Sequence, residues 1–178
     1  MNDGGAMRTI TVILLAALLA LPALAVDFKL PLVGGGTAEL SALRAQSPVV
    51  VCFWATWCHP CQDELVYVQR LYAVYADSGI GFVGVSIDDA KSSAKIKSLL
   101  KGRKYTFPVA LDAEQQAYAA FGLSDVPATF IIGQDGATLY SHFGYRPGDE
   151  TLLEDAVRRA LHPQVPDPTR GDSTKSGH

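Results

Sequence analysis

Cys58 and Cys61, in Trp57-Cys58-His59-Pro60-Cys61, are the residues whose type and spacing most directly specify chemistry. Two thiols three residues apart can open and close as a disulfide, and so exchange electrons with the sulfurs of another molecule. A structural disulfide, a zinc site and a haem attachment are the rival readings. Zinc asks for four ligands and the chain has three cysteines, while haem attachment asks for histidine directly after the second cysteine, where Gln62 stands. The spacing therefore favours a redox pair.

Pro48 to Trp54 (PVVVCFW) is a continuous apolar run rich in β-branched and aromatic types, which predicts a buried strand. After Cys61, Leu65, Val68, Tyr72 and Tyr75 recur at the spacing of one helix face, with Leu71 and Val74 widening it. The cysteines thus fall where a strand hands over to a helix. Cys58 is expected to cap that helix, where unpaired backbone N–H groups carry about half a positive charge and favour a thiolate. Cys61, one turn in, is expected to lie deeper and close the ring.

The other elements follow the same alternation. Asp27 to Val33 reads as a short strand, Gly34-Gly35-Gly36 as a turn and Ala38 to Ala45 as a short helix. Strands are expected over Gly81 to Ile87, Phe107 to Leu111 and Thr129 to Ile132, with helices over Ala90 to Lys101 and Ala113 to Phe121. Gln134-Asp135-Gly136 signals a hairpin whose second strand is Thr138 to Phe143, and Leu152, Leu153, Ala156, Val157, Ala160 and Leu161 outline a closing amphipathic helix. Alternating strands and helices ending in a hairpin imply an α/β sandwich with a mixed sheet.

With 178 residues and 48% hydrophobic content, one core and one domain are expected, over 26–162. A net charge of -3 gives no electrostatic footprint for nucleic acid. Lys91, Lys95, Lys97, Lys101, Arg103 and Lys104 are interleaved with Ile96, Leu99 and Leu100, so they read as the solvated face of a helix. Residues 10–21 (ITVILLAALLAL) follow Arg8 and precede Pro22 and Ala23-Leu24-Ala25, the pattern of a secretory signal over 1–25 cleaved before Val26. An uncleaved N-terminal anchor is the alternative. Residues 163–178 are polar and proline-containing and read as a disordered tail. Export would place the domain in an oxidising compartment, where a CxxC pair stays reduced only with a dedicated electron donor.

Phe53-Trp54-Ala55-Thr56-Trp57-Cys58-His59-Pro60-Cys61, Glu64, and Val126-Pro127-Ala128-Thr129-Phe130 before the hairpin together resemble the thioredoxin superfamily, and within it the exported TlpA/ResA-like thiol-disulfide oxidoreductases. The resemblance implies a thioredoxin-like three-layer sandwich, a mixed central sheet flanked by helices, with a helix and strand inserted centrally between Cys61 and Pro127. It implies a cis Pro127 beside the cysteines, with Val126 offering its backbone to an extended client strand, and Trp57, His59 and Pro60 on the client-facing rim. It also implies that Glu64, partly buried by the thiols, helps move their protons. The expected activity is reduction of disulfides in periplasmic proteins, such as apocytochromes or copper-site proteins, by a monomer without cofactor or metal, recharged by a membrane-linked donor.

Three positions depart from the family. Cys52 stands in the strand where thioredoxin has a buried Asp and this branch often has Asn; it reads as an inert core residue, which leaves more of the proton work to Glu64. Val66 replaces a proline common two residues after that glutamate, so a straighter helix is expected. His59 between the cysteines would, as a cation, stabilise the Cys58 thiolate. A thiol oxidase or isomerase shares all of these features. A copper chaperone holding Cu(I) on Cys58 and Cys61, assisted by His59 or His142, is the rival from another class. A peroxidase is disfavoured because no Pro-x-x-x-Thr-x-x-Cys pattern surrounds any cysteine.

Overall fold

The structure is a computed structural model that describes residues 26–162; the predicted signal segment 1–25 and tail 163–178 lie outside the described residues. Five strands form the central sheet in the order β5-β4-β3-β6-β7. Its middle strand is β3 (Val49–Trp54), in which every residue is buried, as its unbroken apolar run predicts. β4 (Gly81–Ser86) lies parallel to β3 and β5 (Val109–Leu111) parallel to β4, whereas β6 (Ala128–Ile132) and β7 (Thr138–Phe143) continue the sheet antiparallel on the other side. The mixed sheet of the thioredoxin-like fold is therefore present.

Strand alternation sorts the core into two layers. Cys52 lies opposite Thr129, and Thr129 opposite His142, so these three side chains share one face. On that face pack α2 (His59–Tyr75) and α5 (Asp149–Leu161), the latter through Leu153, Ala156 and Val157. Phe53 alternates to the opposite face, where it meets Phe121 at 5.0 Å between ring centroids and Tyr118 of α4 (Gln116–Ala120) at 6.4 Å. The central insert is α3 (Ser93–Arg103) with β5; the helix buries Ile96, the strand buries Val109 and Ala110, and the six basic side chains around Ile96 are exposed.

Two differences from the sequence reading have simple causes. β1 (Lys29–Pro31) pairs with an unanticipated β2 (Thr37–Glu39), which shortens the following helix α1 to Leu40–Arg44. Three residues are too few to show a period of two. Val74 is 65% exposed rather than part of the buried face of α2, because the interface follows Leu65, Val68 and Leu71 and the stripe drifts past Val74 near the helix end. α2 runs unbroken through Val66 and stops at a short 3-10 turn, Ala76–Ser78, after which Gly79 takes φ 88°, a left-handed conformation open to glycine at little cost. Among the described residues no helix is long and apolar enough to cross a membrane.

Candidate functional site

β3 delivers the chain to the end of the sheet, where a buried carboxylate fixes its course. Asp88, just beyond β4, accepts hydrogen bonds from the Thr56 backbone N–H (2.8 Å), the Thr56 hydroxyl (2.6 Å) and the Ser86 hydroxyl (2.8 Å). Gln62 of α2 donates to the Thr56 carbonyl at 3.0 Å. The loop that carries Trp57 and Cys58 is thereby tied to a strand and to a helix at once. No sequence period links Asp88 to the cysteines, and the sequence reading missed it.

Cys58 is the N-cap of α2, with extended backbone, and its sulfur accepts the Cys61 N–H at 3.1 Å. The two cysteines are joined in a disulfide. Cys58 retains 5% exposure and Cys61 none, so an incoming sulfur meets Cys58 first. The helix N-terminus favours negative charge on the Cys58 sulfur when the ring opens.

The Val126–Pro127 peptide is cis, and the Val126 carbonyl oxygen lies 3.5 Å from Cys58 Sγ. Around this point the surface is apolar and open: Trp57 is 64% exposed, and Phe143, which the sequence reading did not single out, is 65% exposed at the end of β7. His59 and Pro60 are exposed as well. A cleft of about 380 Å³, bordered by Pro60, Val126, Pro127, His142, Tyr145 and Arg146 among others, runs beside the cis peptide. Pro60, Val126 and Pro127 thus border one cleft, and Trp57 and His59, the chain neighbours of Cys58, are exposed on either side of it in sequence.

Glu64 points inward from α2 and is 3% exposed. It accepts the Thr129 hydroxyl at 2.9 Å and the Cys52 thiol at 3.4 Å. Burial pushes its carboxyl up to about 7, against the pull of those two hydrogen bonds in the other direction. The Cys52 thiol is held well above its ordinary range, by burial first and by the neighbouring Glu64 charge second. Cys52 is a core residue, but it is not inert: its S–H is one of the two groups that solvate the carboxylate. The partners of Glu64 in the oxidised state are therefore Cys52 and Thr129 rather than the cysteine pair itself. Among the described residues no group of three or more His, Cys, Asp and Glu is arranged to hold a metal ion.

A reactive disulfide on a helix N-terminus, with a proline loop against it, serves thiol–disulfide exchange, and the class so defined is the thioredoxin-type oxidoreductase. Residues 23–140 match the AhpC/TSA family, and the chain belongs to it. The curated relatives include thiol-disulfide oxidoreductase ResA of Geobacillus thermodenitrificans, 30% identical over 73% of this chain and 82% of that protein. ResA of Bacillus subtilis is 33% identical over 62% of this chain and 60% of its own length, so there the match spans under two thirds of the relative. Among solved structures, a thiol:disulfide interchange protein DsbE from Chlorobium tepidum superposes with a TM-score of 0.70 at 32% identity, covering 77% of this chain and 94% of that one. The protein is accordingly a thiol-disulfide oxidoreductase of the ResA and DsbE type, with Cys58-His59-Pro60-Cys61 as its CxxC.

Proposed function

We propose that this protein is exported by its N-terminal segment, as a cleaved signal or an anchor, and reduces disulfides in extracytoplasmic protein clients. Cys58 is the nucleophile. Its thiolate attacks one sulfur of the client disulfide, forming a mixed disulfide and releasing the client's other sulfur as thiolate. Cys61 then gives its proton to Glu64 and attacks Cys58, so that the Cys58–Cys61 bond forms while the bond to the client breaks. Two electrons have passed to the client, and a membrane-linked donor restores the dithiol. Trp57, His59, Pro60, Val126 and Pro127 receive the client backbone.

The observation that carries this reading is the Cys58 sulfur at the mouth of α2, 3.5 Å from the Val126 carbonyl, with its partner sulfur buried behind it. A redox titration of the pair, with turnover on a disulfide-bonded protein, tests it. Couples on this fold span about -270 to -120 mV. A potential toward the reducing end with turnover supports a reductase. A potential near the oxidising end, without reduction of client disulfides, defeats that direction and leaves the oxidase or isomerase.

A further inference from the structure

Glu64 has no direct way out. Cys52 and Cys61 are fully buried, and the carboxyl itself is covered by α2, β3 and β6. A base that takes up a proton in every cycle must also release it. The sheet supplies a line of polar groups leading away from the carboxyl, on the same face and in one row: Thr129 donates to Glu64, and His142 stands directly across the strand pair from Thr129, at a separation of about 5 Å between Cβ atoms for such neighbours. His142 in turn contacts Asp149 Oδ2 through Nε2 at 3.1 Å, and both side chains are about a quarter exposed where they border the cleft beside Pro127.

Tyr140 lies two residues before His142 on the same face, with its ring stacked on the imidazole at 6.3 Å and 12°. Its hydroxyl is buried and finds no hydrogen-bond partner among the described residues. Buried hydroxyls without partners are uncommon, and a role in catalysis is one of the few reasons a protein keeps one. Burial pushes this phenol up to about 12, and the charges of Glu64 and Asp149 add to that, so the hydroxyl stays protonated. The charged and titratable groups around the carboxyl are then Cys52 from β3, Tyr140 and His142 from β7, Asp149 from α5, and Arg159 of α5 beside Tyr140. Asp149 is fixed independently of the histidine by the Arg146 backbone N–H at 2.7 Å.

We propose that His142, oriented by Asp149 and backed by Tyr140, is the proton gate of Glu64. The inference rests on Glu64 being the base for Cys61. When Cys61 resolves the mixed disulfide, its proton resides on Glu64 and the client departs as a thiolate. The proton then passes from the carboxyl by way of the Thr129 hydroxyl to the imidazole, the unpartnered Tyr140 hydroxyl turning in to carry it across the strand pair, and from the imidazole to water in the cleft, where the client thiolate is neutralised. The reverse path protonates Glu64 when the dithiol is regenerated. In this role His142 acts through Glu64 and takes no part in the sulfur exchange itself.

The test is the reaction of the reduced protein with 5,5′-dithiobis(2-nitrobenzoate), which releases one coloured thiolate when Cys58 attacks and a second when Cys61 resolves. The expected result for His142→Gln is an unchanged first phase and a second phase slowed about 100-fold near neutral pH, the lower end of the range for loss of a proton-transfer group. Added imidazole, small enough for the cleft, is expected to restore the second phase. Tyr140→Phe keeps the stacked ring, removes only the unpartnered hydroxyl, and is expected to slow the same phase. A second phase of wild-type speed in both variants, or a slowed phase that imidazole leaves slow, overturns the gate. Glu64→Gln separates this from the underlying reading: if it also leaves the second phase unchanged, Glu64 is not the base, whereas if it slows that phase and the His142 and Tyr140 variants do not, only the gate fails.

Discussion

Replacing Glu64 by Gln keeps the shape of the side chain and an oxygen for the Thr129 hydroxyl, but removes the charge. The ordinary carboxyl value of 4.5 is displaced to about 7 in the folded protein. At about 1.4 kcal/mol per unit this amounts to about 3 kcal/mol of coupling between folding and proton uptake. Because the folded value is the higher one, the folded state holds the extra proton between the two values. Stability from this group is complete below about pH 4.5 and is lost as the pH rises through about 7. The carboxyl is buried, so solvent screening does not reduce the figure. Urea unfolding of the oxidised wild type and of Glu64→Gln, at a series of values from about pH 4 to about pH 8.5, isolates the effect, since every other titrating group is common to both proteins. The wild type is expected to lose about 3 kcal/mol relative to the variant across that window. Stability curves that run parallel would refute the assignment of Glu64 as a buried, proton-holding carboxyl.

Three further outcomes follow from the same packing. Cys52→Ala removes one of the two hydrogen bonds that favour the Glu64 carboxylate, so the carboxyl should titrate at higher pH still, observable in the NMR shift of its Cδ carbon. Asp88→Ala strands the three donors from Thr56 and Ser86 and should cost about 3 kcal/mol in urea unfolding, with a slower reaction of Cys58 as its loop loosens. Gly84→Ala would place a Cβ 2.9 Å from Phe107 Cε2 and 3.3 Å from Trp54 Nε1, and overpacking of this kind should cost about 1–3 kcal/mol, read as a lowered melting temperature.

The parts of the molecule that sequence reveals are those whose signal is local. The run VVVCFW is buried on both faces and needs no partner to be recognised as a strand. Thr138–Phe143 is found at its observed limits because a turn with Gly136 at φ 86° defines where it begins. α5 starts at Asp149, three residues ahead of its first apolar position, because a polar first turn leaves no hydrophobic trace. The CxxC and Pro127 are visible as a motif, yet the groups that surround Glu64 are not. Thr129, Tyr140, His142 and Asp149 come from β6, β7 and α5, and only strand register sets them against α2. Asp88 escapes for the same reason: its role arises from the parallel pairing of β3 with β4, which brings Trp54 level with Ser86.

The tether between Thr56 and Asp88 involves neither of the neighbouring sulfurs. Opening the ring therefore frees little of the chain, and the two thiols stay confined to each other's vicinity at a high effective concentration. A pair so confined recloses readily and gives up its electrons with correspondingly greater ease. The helix N-terminus works against this by stabilising the open thiolate, so the reducing strength of the protein is a contest between a carboxylate two residues beyond the end of β4 and the dipole of α2, and substitutions at Asp88 should shift it without touching a sulfur.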